Sequence, residues 1–199
     1  MKYIIFLFFI LFFLSSCTTT PKNTHNICKV FQEKDDWYAD AKTSYERWGL
    51  PIHINMAIMY QESHFVADAK PPRPKLLGFI PWFRSSSAYG YAQAQDGTWN
   101  DYLNNAGDWG ADRDDFADAT DFIGWYCSIS HKKLGIPLLA TKNLYLAYHE
   151  GHGGYIRKTY LKKRWLINTS SKVAKMAQQY KTQLLRCKDE LESNSWFFW

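Results

Sequence analysis

Nowhere along the 199 residues does apolar–polar alternation last long enough to build a sheet, and no segment repeats itself. A sheet-dominated fold and a stack of repeats are therefore excluded. Long hydrophobic runs are also missing. The longest, Ile4 to Leu14, falls short of the ~20 apolar residues that cross a bilayer. There is no arginine-rich arm and no basic stripe interleaved with aromatic residues, so the formal charge of +5 does not point to nucleic acid. Cysteine is scarce, with four in the chain. A His pair at i, i+4 is absent where His149, Glu150 and His152 crowd together, and no metal or other cofactor is expected there.

What is present begins with Met1-Lys2-Tyr3, the apolar stretch Ile4–Leu14 and Ser15-Ser16-Cys17. One cation, a short apolar core and small residues before a break describe a secretory leader. Leu14-Ser15-Ser16-Cys17 also resembles the bacterial lipobox, in which cleavage precedes the Cys and its thiol is lipidated. Residues 1–16 then form a lipoprotein signal peptide and Cys17 carries the lipid. Thr18 stands where an Asp would favour the inner membrane, so the expected location is the periplasmic side of the outer membrane. Residues 17–26 read as the lipidated Cys and a flexible polar tether. Anchoring through two or three acyl chains needs no basic membrane patch, and Lys162-Lys163-Arg164 reads as a solvated face. The mature chain is mildly basic, near +4 because Lys2 is the leader's one charge, which suits an anionic envelope polymer.

Residues 27–192 suffice for one domain with its own core. Of the three cysteines left, Cys28 and Cys187 sit near its two ends, where a disulfide would join the first and last helices. Cys127 lies in an apolar run and reads as buried. Almost every segment has helical spacing. A helix is predicted from Val30 to Trp48, stopped by Gly49, and another from Pro51 to about Ser63. Asp96 caps a third that ends near Gly107, and Asp112 or Asp114 caps a fourth that stops before Gly135. Thr141 opens a fifth that stops at Gly151, a short one follows to about Lys163, and Ser170 or Ser171 opens the last, to around Glu190. The fold class is all-α. The irregular part is the loop Ala67–Ser87. Its prolines forbid a helix, yet Leu76, Leu77, Phe79, Ile80, Trp82 and Phe83 are too apolar for a solvated linker. A lid or cleft wall, with a minor hairpin, is expected there.

In Ile58-Met59-Tyr60-Gln61-Glu62-Ser63-His64-Phe65 a single acid ends an apolar helical run. A Glu at a helix end is most often solvated. In apolar surroundings its pKa rises instead, and a proton held near neutrality is what a general acid needs. Two later segments give that reading its weight: Gly90-Tyr91-Ala92-Gln93 and Ala147-Tyr148-His149-Glu150-Gly151.

With Glu62-Ser63, these segments resemble the three signatures of the soluble-lytic-transglycosylase family, written ES, GLMQ and AYNAG, over about Ile52 to Tyr155. The resemblance implies a lysozyme-like (goose-type lysozyme/SLT) helical domain that cleaves the glycan strands of peptidoglycan. Glu62 would be the catalytic acid and then the base, yielding 1,6-anhydromuramyl ends without a cofactor. The resemblance also implies substrate contacts for Ser63, Gly90, Tyr91, Gln93, Tyr148, His149 and Glu150. Ser63 would orient the sugar, Gly90 would allow close backbone approach, the Gln93 amide would bind glycan, and the Tyr148 hydroxyl would reach toward Glu62. Residue by residue, a helix cap for Ser63, a structural amide for Gln93 and a core ring for Tyr148 stay open. Tyr91-Ala92 departs from Leu-Met, and His149 and Glu150 from Asn and a small residue. Glu150 reads as a solvated helix end; as a second acid–base group it would permit hydrolysis. Rings flanking Gln93 are the aromatic residues expected to touch sugar. The rival functions are a muramidase resembling goose-type lysozyme and a non-catalytic peptidoglycan-binding lipoprotein. The aromatic tail 193–199, ending Trp196-Phe197-Phe198-Trp199, is too short for a span. Packing on the domain, docking an envelope protein partner and touching the membrane are all open to it.

Overall fold

Helix α3, Ile52–Ser63, is apolar on every side, and Ile54 to Met59 are all buried. Such a helix has to lie at the centre of its domain. The computed structural model describes residues 19–73, 75–76, 80–81 and 86–194. The other helices are α1 (Ile27–Glu33), α2 (Trp37–Trp48), α4 (Asp96–Asn105), α5 (Phe116–Leu134), α6 (Thr141–Ile156) and α7 (Arg164–Asn194). A 3-10 turn at Thr159–Lys162 precedes α7. The fold is all-α. The expected hairpin is reduced to two-residue strands, Lys75–Leu76 and Ile80–Pro81, paired antiparallel. Residues 74, 77–79 and 82–85 of the apolar loop proposed as a lid, like the leader, Cys17 and the tail from residue 195, lie outside the described residues.

α2 packs on α5, while α1, α3 and α6 pack on α7. A buried polar network ties the first group to the centre. Ser44 Oγ and Asn55 Nδ2 both donate to the Thr120 carbonyl at 2.8 Å, and Thr120 Oγ1 donates to Asn55 Oδ1 at 3.1 Å. Satisfied networks of this kind lock helices in one register. Beside it, Trp37 and Phe116 stack at 3.9 Å between centroids.

Several boundaries differ from the sequence reading. The helix predicted from Val30 to Trp48 is two, because α1 buries Ile27, Val30 and Phe31 against α7 whereas α2 faces α5. The cap of α5 is Asp115, which accepts from Asp118 N at 3.0 Å. Asp96 is the first residue of α4 rather than its cap. The fifth helix does end at Gly151, as expected: its backbone (φ 70°, ψ 159°) is non-helical, and a second helical segment continues α6 beyond this kink to Ile156. α7 starts before Ser170, whose hydroxyl donates back to the Ile167 carbonyl at 2.7 Å. A serine satisfied in this way sits inside a helix without ending it. Leu166, Val173, Tyr180 and Cys187, each seven apart, form the buried stripe of α7.

The tether also differs. Pro21 is buried, Gln179 Nε2 and Gln183 Nε2 donate to the His25 carbonyl at 2.8 and 3.1 Å, and Asn26 caps α1. The chain is therefore held against α1 from Lys22, whose backbone N–H donates to Glu33 at 3.0 Å, and against α7 from Thr24, rather than free to residue 26. Cys28 and Cys187 are bridged, with 159 residues of sequence separation, and Cys127 is free and buried.

Candidate active site

Glu62 ends α3 just before a sharp reversal. His64 (φ 53°) and Phe65 (φ 63°) both adopt the left-handed conformation, which non-glycine residues rarely take. Two in succession turn the chain back under α3 and bury the Phe65 ring. Strain held in place by packing next to a lone acid is a feature of functional sites. Glu62 is partly covered as a residue, but its Oε1 is sealed from solvent and meets no hydrogen-bond partner among the described residues. This burial pushes its pKa up to about 7, against a smaller downward pull from a hydrogen-bonding contact with the Tyr145 hydroxyl. The carboxyl thus holds its proton near neutrality.

Tyr145 was not anticipated. It lies on α6 one turn before Tyr148, and the i, i+3 spacing puts both rings on one face. That spacing was the available signal, overlooked because Tyr145 stands outside the five-residue motif. Tyr148 is placed close enough to Glu62 for their charges to interact, but its hydroxyl donates to the Ala92 carbonyl at 2.6 Å. It therefore joins the second motif to the third instead of bonding the acid. Its own pKa is raised well above the ordinary tyrosine value, by burial first and by Glu62 second.

The second motif is a tight turn closed by the Tyr89–Ala94 bridge. Gly90 has φ 79°, and a Cβ there would sit 1.9 Å from the Arg113 carbonyl oxygen. The close approach that glycine permits here is to the Arg113 carbonyl. Tyr91 is 1% exposed and edge-on to Trp37 and Phe116, so its ring belongs to the core and not to the expected sugar platform. Ser63 is 6% exposed and donates to the Met59 carbonyl at 3.2 Å, so its hydroxyl proton is used inside the last turn of α3. Gln93 uses both amide hydrogens on backbone, donating to Ala69 and Gly90 carbonyls at 2.8 and 2.9 Å. Its side chain nevertheless lines the cleft.

That cleft is a polar cavity of about 260 Å³ whose walls include Gln93, Gln95, Thr98, Tyr126, Tyr148, His149, Glu150 and Gly151. Glu62 is not among its walls; Tyr148 is the residue that belongs both to the wall and to the surroundings of Glu62. A second cavity, between α2, the start of α3 and the last turns of α7, lies apart from the motifs.

Glu150 is not the solvated helix end expected of it. Its side chain is 3% exposed, and Lys163 Nζ bonds Oε1 at 2.7 Å while Thr159 Oγ1 donates to Oε2. Burial alone would raise its pKa, but the bonds from Lys163, Thr159 and His149 prevail and hold it below the ordinary carboxylate value. The bend at Gly151 and the 3-10 turn bring Thr159 and Lys163 back over the carboxylate, a closure no local pattern announces. His149 packs edge-on to Trp165, whereas His152 stacks on Tyr126 and bonds Ser130 at 2.9 Å, so the two imidazoles face different neighbours.

Comparison with known proteins returned no matching curated protein and no matching solved structure. A family profile described as "Transglycosylase SLT domain" matches residues 5–187, a span holding all three motifs and most of α7. Such a domain denotes a transglycosylase-type enzyme with peptidoglycan as its substrate. Matched over nearly its whole length, the chain belongs to the transglycosylase SLT-domain family.

Proposed function

We propose that this protein is a lytic transglycosylase cleaving the β-1,4 bond between N-acetylmuramic acid and N-acetylglucosamine, with Glu62 as the single catalytic acid and base. The observation that carries the reading is the sealed Oε1 of Glu62, which has no hydrogen-bond partner among the described residues, with its pKa pushed to about 7. Neutral Glu62 donates its proton to the glycosidic oxygen as the bond to C1 breaks. The N-acetyl oxygen of the muramic residue supports the sugar cation. The C6 hydroxyl then attacks C1 and passes its proton to ionised Glu62, which restores the acid and leaves a 1,6-anhydro end. No water is consumed. Glycosidases that hydrolyse commonly use a second carboxylate to activate water or trap the sugar. Glu150, the carboxylate beside the cleft, is committed to Lys163 and Thr159, which favours the one-carboxylate route over hydrolysis.

Mass spectrometry of muropeptides after digestion of sacculi tests this. Terminal muramic acid one water lighter than a reducing end is expected, and no product is expected from Glu62→Gln. Reducing ends would establish a muramidase instead, and equal inertness of both proteins would leave a binding protein.

The same reading includes attachment to the periplasmic face of the outer membrane through lipid on Cys17. The Cys28–Cys187 bridge supports it, because disulfides persist in oxidising compartments. Incorporation of labelled palmitate that is lost in Cys17→Ser is the expected result.

A further inference from the structure

From Gly151 to Lys188 the chain contains no Asp or Glu, while ten lysines and arginines fall within that stretch. The densest part, Arg157 to Arg164, lies against the cleft. Lys163 is bonded to Glu150, and the next residue but one, Trp165, packs edge-on to His149 at 5.1 Å between centroids. Arg157, Lys158, Lys162 and Arg164 are exposed and enter no ion pair among the described residues. Ile156, Leu161 and Trp165 stand out among them at 65, 60 and 56% exposure. Unpaired charge of one sign draws an oppositely charged partner, and an exposed ring and aliphatic groups beside it supply area for contact.

We propose that this strip is a docking surface for the carboxylates of the peptide stems carried by the glycan, so that the enzyme holds its polymer by stem charge as well as by sugar. The inference rests on peptidoglycan being the substrate. Two observations choose this occupant. Charge complementarity requires a polyanion, and peptidoglycan stems bear free carboxylates. The strip is also continuous with the cleft wall through Lys163–Glu150 and Trp165–His149, so a strand lying in the cleft has the strip beside it. An anionic lipid surface would use the same cations, but it would have no reason to adjoin the cleft.

The test uses the full chain in detergent carrying Glu62→Gln, so that binding is read on uncut polymer. It is sedimented with purified sacculi that are intact or stripped of stems by an amidase. Retention on intact sacculi is expected to exceed that on stripped sacculi and to fall steeply with salt. Each exposed charge contact is worth about a twofold change in affinity, so replacing Arg157, Lys158, Lys162 and Arg164 by Ala together is expected to weaken binding to intact sacculi about sixteenfold. Circular dichroism of the fourfold variant checks that it is folded. A second version of the strip, with the same four positions changed to Gln, must show the same loss. Equal binding to intact and stripped sacculi overturns the proposal, as does a variant that binds intact sacculi like its parent. The same proteins are also sedimented with vesicles containing phosphatidylglycerol, and a loss confined to those vesicles overturns the proposal in favour of a lipid surface. Because product chemistry is measured separately on chains that retain Glu62, failure here leaves the transglycosylase reading standing.

Discussion

Replacing Glu62 by Gln should stabilise the protein in alkaline solution while abolishing its activity. The carboxyl has a pKa of about 7 in the folded chain against an ordinary value of 4.5. A raised folded-state pKa means that the native form binds the proton more tightly than the unfolded form. Stability from this group is therefore full below about pH 4.5 and is lost as pH rises through 7. The shift of about 2.5 units corresponds to roughly 3 kcal/mol once the group must ionise inside the fold. Glutamine keeps the shape and cannot ionise, so that loss vanishes. In a domain of this size the difference amounts to a Tm roughly 6–12 °C above the parent at pH 8. At pH 4.5 the two proteins should melt together. Thermal unfolding followed by circular dichroism at both pH values measures it. Other titrating groups, such as Asp40, raised by burial to about 6, are common to both proteins and cancel in the difference. A Glu62→Gln protein that gains nothing over its parent between pH 4.5 and pH 8 would refute the argument that the carboxyl is held neutral by burial. The same proton sets the reaction: kcat/KM of the parent should fall above about pH 7, where the acid loses its proton.

Tyr145→Phe removes the hydroxyl contact that draws the Glu62 pKa down, so the alkaline limb of the pH–rate profile should move to higher pH; a limb that stays put or moves lower contradicts the contact. Glu150→Gln should leave anhydro ends as the product and lower stability by about 1 kcal/mol, since its partner Lys163 is itself substantially exposed; reducing ends or complete loss of product in muropeptide analysis would make Glu150 a participant. Replacing Cys28 and Cys187 together by Ser frees a loop of 159 residues' separation and should lower the unfolding free energy by about 5 kcal/mol in urea titration; a change below about 1 kcal/mol would mean that packing of α1 on α7 suffices.

The helices were legible because their signals are local: Gly49 and Gly135 end α2 and α5 in the left-handed conformation, as their positions after apolar runs foretold. Where the reading missed, long-range contact had overridden a local cue. The break between α1 and α2 exists because the two segments face different partners, and Ser170 failed to start a helix because its hydroxyl found the Ile167 carbonyl. Ser63, Gly90 and Tyr91 were assigned to substrate from short motifs. In the fold their side chains, or the lack of one, are used on Met59, Arg113 and the Trp37–Phe116 stack.

The sequence by itself determined an all-α domain, the three motif segments and the one acid at the end of an apolar helix. These follow from helical periodicity and from residue types a few positions apart. Only the tertiary structure decided what each motif residue touches. It seals Glu62 Oε1 and brings Tyr145 rather than Tyr148 to its carboxyl. It also removes Glu150 from solvent by folding Thr159 and Lys163 back past the bend at Gly151. A pKa depends on burial and on partners distant along the chain, and neither is written in the spacing of nearby residues.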